Sequence, residues 1–251
     1  MATDPLAALP FVQRVFRFDE IDSTNTFAKD LSERPSGGIF VVTARRQRAG
    51  RGQRGNTFFS DTDTGLWVSL VVPLDSLDEH FRVNRALALA ACETADTAAG
   101  VTCGIKWPND ICLSGRKLGG ILLESTSGGA PCVVAGLGLN VNLTTRAFPA
   151  PLRDTAISLR MATRRTYAIE PLLESLLRAF DRLVRLGTAD AHRRYEARLV
   201  GVGQRAAIGG DEGAFEGVGE DGRTCLCCAG ERRYFTSGPL RFAAGYAPDR
   251  P

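Results

Sequence analysis

Eleven residues, Arg45-Arg-Gln-Arg-Ala-Gly-Arg-Gly-Gln-Arg-Gly55, hold five arginines and three glycines and follow closely on the apolar run Phe40-Val41-Val42. No core can absorb that composition, because a buried guanidinium without partners is too costly. The chain must therefore run a strand into a surface loop here and build its architecture around that loop. Glycine admits positive φ and close backbone approach, so successive N–H groups can turn inward on an anion. Arginine adds a planar, permanently charged fork that matches carboxylate and phosphate oxygens. By itself the stretch fits three things: a holder for a phosphorylated or carboxylated small molecule, a solvated basic loop, or an RNA-binding segment.

At 251 residues the chain can build one sizeable core and a small second domain. Its formal net charge of +3 is too small for bulk nucleic-acid binding, so the positive charge that matters is local. No apolar run approaches the roughly 20 residues that cross a bilayer, which argues against a membrane protein. Met1–Pro10 carries Asp4 and no basic residue, which argues against a signal peptide. Seven scattered cysteines, an odd number, suit buried thiols in a reducing cytoplasm. Cys225-Leu-Cys-Cys228 lacks a second CxxC or a histidine pair, and no cysteine stands near His80 or His192 in sequence. These cysteines read as strand residues, and no metal ligands are assigned.

Strands are expected at Arg14–Phe18, Phe40–Thr43, Leu66–Val72, Gly104–Trp107, Ile111–Leu113, Leu118–Leu123 and Cys132–Leu143, with a tight turn at Ser114-Gly115-Arg116. Asp22-Ser-Thr-Asn25 offers helix N-caps ahead of Phe27, Ala28 and Leu31. Phe81–Ala99 has helical spacing and meets Gly100 where a C-cap falls. Leu172, Leu173, Leu176, Leu177, Phe180, Leu183 and Val184 mark an amphipathic helix, with Pro171 in its first turn and Gly187 as its stop. A further helix is expected over Ala189–Leu199. Past Gly201 the texture changes to short strands at Arg205–Ile208, Ala214–Val218, Thr224–Cys228 and Arg232–Thr236. The expectation is a mixed α+β domain over residues 1–200 and a compact all-β barrel over 201–251.

Three further constellations carry chemistry. Lys106-Trp-Pro-Asn-Asp110 presents a cation, an amide and a carboxylate at a turn fixed by proline. Arg116-Lys117-Leu-Gly-Gly-Ile-Leu-Leu-Glu124 returns a lysine into the sheet beside glycines of the kind that mark close approach of a ligand. Gly136-Leu-Gly-Leu-Asn140 repeats that device and ends in an amide. Together with Ser23-Thr24-Asn25 and the Gln47…Gly50-Arg51-Gly52-Gln53-Arg54-Gly55 loop, these motifs resemble, in order and spacing, the catalytic domain of biotin protein ligases. The resemblance runs from about Phe16 to the C-terminus. It implies the mixed sheet with flanking helices of the class II aminoacyl-tRNA synthetase and biotin ligase type, followed by an SH3-like β-barrel.

It also implies a function. Such enzymes form biotinyl-5′-AMP from biotin and ATP with Mg2+, then pass biotin to one lysine of the biotin carboxyl carrier protein of a carboxylase. Adenylation brings two anions together, and fixed cations and N–H donors stabilise the charge that develops. By resemblance Lys117, Arg51, Arg54, Lys106 and Asp110 carry the chemistry, with Lys117 at the biotin carboxylate and bridging phosphate, and Asp110 positioning magnesium or the attacking lysine. Ser23, Thr24, Asn25, Gln47, Gly50, Arg51, Lys117, Gly120 and Gly136 would border biotin. Arg51, Arg54, Phe58, Asn109, Gly138 and Asn140 would border the nucleotide, and the glycines would make room for ligand. The arginine loop would be mobile when empty.

The chain departs from the pattern in three places. Gln53 replaces a basic residue, for which Arg54 or Arg48 would compensate; Phe58 replaces a tryptophan near the adenine; and Thr144–Ala156 replaces the adenylate-covering loop, with Phe148 as an apolar lid. About twenty residues precede Ser23, too few for a winged helix-turn-helix, so a ligase without DNA binding is expected, as monomer or homodimer. A lipoate or octanoyl ligase of the same superfamily and a non-enzymatic RNA-binding module remain as alternatives.

Overall fold

This computed structural model describes residues 4–31, 33–76, 79–126, 131–243 and 245, and the outer ends of the two expected domains, residues 1–3 and 246–251, lie outside them. The first sheet is assembled from β1 (Val12–Ile21), β2 (Ile39–Gln47), β3 (Leu66–Pro73), β4 (Gly104–Lys106), β5 (Asp110–Leu113), β6 (Arg116–Ser125) and β7 (Cys132–Leu139). Its order is β1-β2-β3-β7-β6-β5-β4. Only β1 and β2 pair in parallel and the other neighbours are antiparallel, so the sheet is mixed. The central strands β3 and β7 are almost wholly buried, which explains why they read as unbroken apolar runs.

The two faces of that sheet carry different loads. Val41, Val68, Leu70, Ala135 and Leu137 point into the main core, shared with α2 (His80–Ala99) and α4 (Ile169–Val184). The leucine stripe of α4 supplies Leu172, Leu173, Leu176, Leu177 and Leu183 to it. On the other face Phe40, Val42, Val71 and Val134 bury Ala28 of the short helix α1 (Thr24–Asp30). The α1 helix starts where Ser23 Oγ accepts from Thr26 N at 3.4 Å. Gly100 ends α2 at φ 68°, donating its N–H to Asp96 O, and Ser114 and Gly115 (φ 49° and 69°) form the expected turn between β5 and β6. Gly187 does not stop α4: the helix ends at Val184 with Arg185 in αR geometry, and Gly187, at φ −58°, is the N-cap of α5 (Thr188–Glu196). A short helix α3 (Leu159–Thr163) precedes α4.

The C-terminal strands β8 (Arg205–Ile208), β9 (Asp211–Val218), β10 (Thr224–Cys228), β11 (Glu231–Phe235) and β12 (Arg241–Phe242) form an antiparallel sheet in the order β11-β10-β9-β8-β12. Its edges β11 and β12 are not paired with each other among the described residues. Cys225, Cys227 and Cys228 lie on β10 in register with β9 and β11, and all seven cysteines are free thiols. Phe215, Leu226 and Phe242 join this sheet to the main core, and Trp107 Nε1 donates to Gly222 O at 3.0 Å across the junction. Among the described residues no helix is long and apolar enough to cross a membrane.

Candidate active site

Strand register builds the site from three rows of directly paired residues on the α1 face of the sheet. The first row runs Trp67, Gly138, Gly120, Asp110, Lys106 across β3, β7, β6, β5 and β4. The second runs Ser69, Gly136, Leu122, and the third Val71, Val134, Glu124. Side chains two apart on a strand share a face, so the three rows form one continuous floor. Where its middle residues are glycine or serine the floor is low, and a cavity of about 500 Å³ opens above it, within the usual size of small-molecule sites.

The space above each glycine is taken by a side chain of the protein, not left open for ligand as expected. A Cβ on Gly136 would lie 2.1 Å from Asn25 Oδ1, and one on Gly138 would lie 2.4 Å from Phe58 Cε1. A Cβ on Gly120 would meet Lys117 Cε at 3.1 Å. The glycines therefore seat three of the expected site residues against the sheet.

One end of the cavity is polar and neutral. Gln47 Oε1 accepts from Thr24 N at 2.8 Å and from Thr24 Oγ1 at 3.0 Å, while Gln47 Nε2 donates to Ser60 Oγ at 3.1 Å. Ser69 Oγ lies 2.7 Å from Thr24 Oγ1 and 2.6 Å from Asn25 Oδ1. Ser23, Thr24, Asn25 and Gln47 are all buried, so this network is fixed before any ligand arrives. Ser23 both caps α1 and lines the cavity.

The other end is cationic. Lys106, Lys117 and Arg241 gather there around Asp110, Arg51 and Arg54 also line the cavity, and Asp110 is the one carboxylate among the described lining residues. Lys117 Nζ pairs with Asp110 Oδ1 at 2.5 Å and stands 5.8 Å from the centre of the Phe58 ring. Burial lowers the Lys106 ammonium's pKa from its ordinary value, with the Asp110 charge opposing it. The Phe58 ring meets Trp67 edge-on at 5.9 Å. Asn109 Nδ2 donates to Ile121 O at 2.6 Å and Asn140 Nδ2 to Ile157 O at 3.1 Å, so both amides are anchored to the scaffold while bordering the cavity.

The arginine loop carries hydrogen bonds of its own, and its arginines at 45, 46, 48 and 51 pair with carboxylates. Gly52 N donates to Asn56 O at 2.7 Å and Phe58 N to Gly50 O at 2.9 Å. Arg45 pairs with Asp19 and Asp63, Arg46 with Asp61, and Arg48 with Glu20 and Asp22, all on the outer surface. Arg48 therefore does not stand in for the basic residue absent at Gln53; Gln53 itself lines the cavity. Arg51 turns back to Glu124, 3.1 Å away.

Of the residues named from sequence, Arg48 and Gly50 are not on the cavity wall; a Cβ at Gly50 would lie 2.0 Å from Ser60 Oγ and 2.4 Å from Phe58 O, so close backbone packing accounts for the glycine. The segment at 144–156 borders the cavity through Phe148, Leu152, Thr155 and Ala156 and is packed against the sheet. Lys117 N donates to Thr155 O at 2.7 Å, Ile157 N to Lys117 O at 2.9 Å, and Phe148 is buried against Trp67, Leu143 and Ala156. Thr155 and Ala156, named from sequence only as part of the covering segment, reach the cavity through their pairing with Lys117. Sequence reasoning missed the C-terminal stretch Gly238-Pro239-Leu240-Arg241, which also lines the cavity; nothing local marks it, because its approach depends on how the second sheet docks. Glu124 was visible only as the end of its motif.

Residues 17–142, half of the chain, match the model of the biotin/lipoate A/B protein ligase family. A biotin–[acetyl-CoA-carboxylase] ligase of Paracoccus denitrificans is 31% identical, over 82% of this chain and 90% of the relative. The bifunctional ligase/repressor BirA of Bacillus spizizenii is 30% identical over 82% of this chain, which spans 65% of that relative's length. In fold, the chain resembles a biotin protein ligase from Aquifex aeolicus solved with biotin and ATP, with a TM-score of 0.79 over 92% of this chain and 98% of the other, at 21% identity. The mixed sheet, the flanking helices and the ordered motifs agree, and the chain belongs to the biotin/lipoate A/B protein ligase family.

Proposed function

We propose that this protein is an ATP-dependent biotin protein ligase, forming biotinyl-5′-AMP and then biotinylating a lysine of the carboxyl carrier protein of a carboxylase. The carrying observation is the polarity of the cavity. A neutral, prearranged cluster at Ser23, Thr24 and Gln47, braced from beneath by Ser69, suits an uncharged ureido ring, and the lysines and arginines of the same cavity suit a carboxylate and phosphates. The name of the Paracoccus relative supports biotin as a substrate and a carboxylase as the acceptor.

In the first step a biotin carboxylate oxygen attacks the α-phosphorus of ATP and pyrophosphate leaves. Lys117 lies where it would touch both anions, exchanging Asp110 for them as they bind. Lys106, with Arg54 and Arg241, would hold the phosphate chain against its own repulsion, and donors held in place beforehand stabilise the charge that builds in the transition state. Asp110 fits a magnesium ion, since that metal is commonly bound by one or two carboxylates together with substrate phosphates; the ion would supply charge neutralisation. In the second step a carrier amine attacks the acyl carbon and AMP departs. Phe58 would stack the purine with less area than an indole offers.

We read residues 1–200 as the catalytic domain and 201–251 as an SH3-like unit that lends Arg241 to the site. The free thiols support a cytoplasmic setting, and the proposal covers a monomer or a homodimer. The matching of Arg45, Arg46 and Arg48 by carboxylates favours a small-molecule site over a DNA or RNA surface. The test is pyrophosphate release from ATP. It is expected only with biotin present, to be lost in Lys117→Ala, and to be unaffected by lipoate. Release driven by lipoate, or none with biotin across magnesium concentrations, would sink the assignment.

A further inference from the structure

Arg51 lines the cavity, yet its guanidinium is not turned to the other cations there. It forks onto Glu124, with Nη1 3.2 Å from Oε2 and Nη2 3.1 Å from Oε1. Glu124 lies outside the cavity wall, on the third row of the floor, and its side chain is 14% exposed against 44% for Arg51. It also accepts from Lys29 Nζ at 2.8 Å and from Asn25 Nδ2 at 3.1 Å. Burial acts to raise the Glu124 pKa, but the bonds from Lys29 and Asn25 and the charge of Arg51 outweigh it and hold the carboxyl below its ordinary range.

We infer that Glu124 is a positioning residue that competes with substrate phosphate for Arg51, and that Lys29 sets the strength of that competition. A carboxylate and a phosphate offer the same paired oxygens to the same planar fork, so Arg51 binds one or the other. Leaving Glu124 strands no charge, because Lys29 and Asn25 still satisfy the carboxylate. The backbone need not move either: the Arg51–Thr57 bridge and the Gly52–Asn56 hydrogen bond hold the loop while the exposed side chain swings. Asn25 links this latch to the neutral end of the cavity through Ser69 and Thr24. An uncompensated glutamate would trap Arg51; the lysine beside it weakens the grip.

The inference rests on the ATP-dependent reading above, and the experiment separates the two. The KM for ATP is measured in biotin-dependent pyrophosphate release for wild type, Glu124→Gln, Lys29→Met, Arg51→Gln, and Glu124→Gln combined with Arg51→Gln. Glu124→Gln should lower that KM about threefold to fivefold, the scale of a half-exposed ion pair. Lys29→Met, which strengthens the hold on Arg51, should raise it. In the Arg51→Gln background the Glu124 substitution should change nothing. Structural damage would move Glu124→Gln and Lys29→Met the same way, so a shared direction, or a Glu124→Gln effect that persists without Arg51, overturns the latch while the functional reading stands. A wild-type protein that releases no pyrophosphate overturns both.

Discussion

Alanine at position 138 would put a methyl group 2.4 Å from Phe58 Cε1 and 2.7 Å from its Cζ. Carbon atoms settle at about 3.5–4.0 Å, so the ring has to retreat by roughly 1 Å or more. Trp67 stands edge-on to that ring at 5.9 Å and blocks one escape; the open direction is into the cavity that Phe58 lines. Overpacking of this kind costs about 1–3 kcal/mol. If that cost falls on nucleotide binding, the KM for ATP rises about 5- to 150-fold, at about 1.4 kcal/mol per factor of ten. The assay is steady-state pyrophosphate release with each substrate varied in turn. Pairing Gly138→Ala with Phe58→Leu, which removes the obstructing ring edge, should recover part of the loss, a coupling that distant sites do not show. A rise confined to the KM for biotin, or no recovery in the double variant, would refute the seating of Phe58 on Gly138 as a nucleotide device.

Gly136→Ala should act on the other substrate, because its Cβ would fall 2.1 Å from Asn25 Oδ1, and Asn25 is pinned by Ser69 and Glu124; biotin titration should show the larger loss. Burial lowers the Lys106 pKa below the usual 10.5, so kcat/KM for ATP should fall as pH rises through that lowered value, and Lys106→Arg should move the step to higher pH. The same group binds its proton less tightly folded than unfolded, so its contribution to stability grows as pH rises toward 10.5. Arg241→Ala should raise the KM for ATP about twofold to tenfold, the scale of one ordinary hydrogen bond, and leave biotin binding alone; equal loss on both substrates would argue against its place at the cationic end.

What could be read in the sequence was local. Ser23 as a helix cap follows from a short side-chain oxygen that can accept from Thr26 N, and Gly100 as a C-cap and Gly115 in a turn follow from positive φ that glycine adopts freely; the structure has them all. Gly187 misled because glycine is also acceptable as an N-cap, and the next helix began there. The arginine loop was legible as a special loop but not in its detail. Its charges are answered by Asp19, Asp22, Asp61 and Asp63, carboxylates that only the pairing of β1 and β2 and the return toward β3 bring near. Register likewise turned Gly120, Gly136 and Gly138 from presumed ligand space into seats for Lys117, Asn25 and Phe58. Arg241 joins Lys106 at the same cavity from far along the chain, a contact that no local pattern encodes.

The most direct measurement is a crystal structure of the protein with biotinyl-5′-AMP. The ureido ring is expected among Ser23, Thr24 and Gln47, the phosphate within hydrogen-bond reach of Lys117 Nζ, the purine against Phe58, and the Lys117–Asp110 pair opened. An adenylate lying in the reverse direction, or bound away from the floor formed by Gly120, Gly136 and Gly138, would contradict the assignment of the two ends.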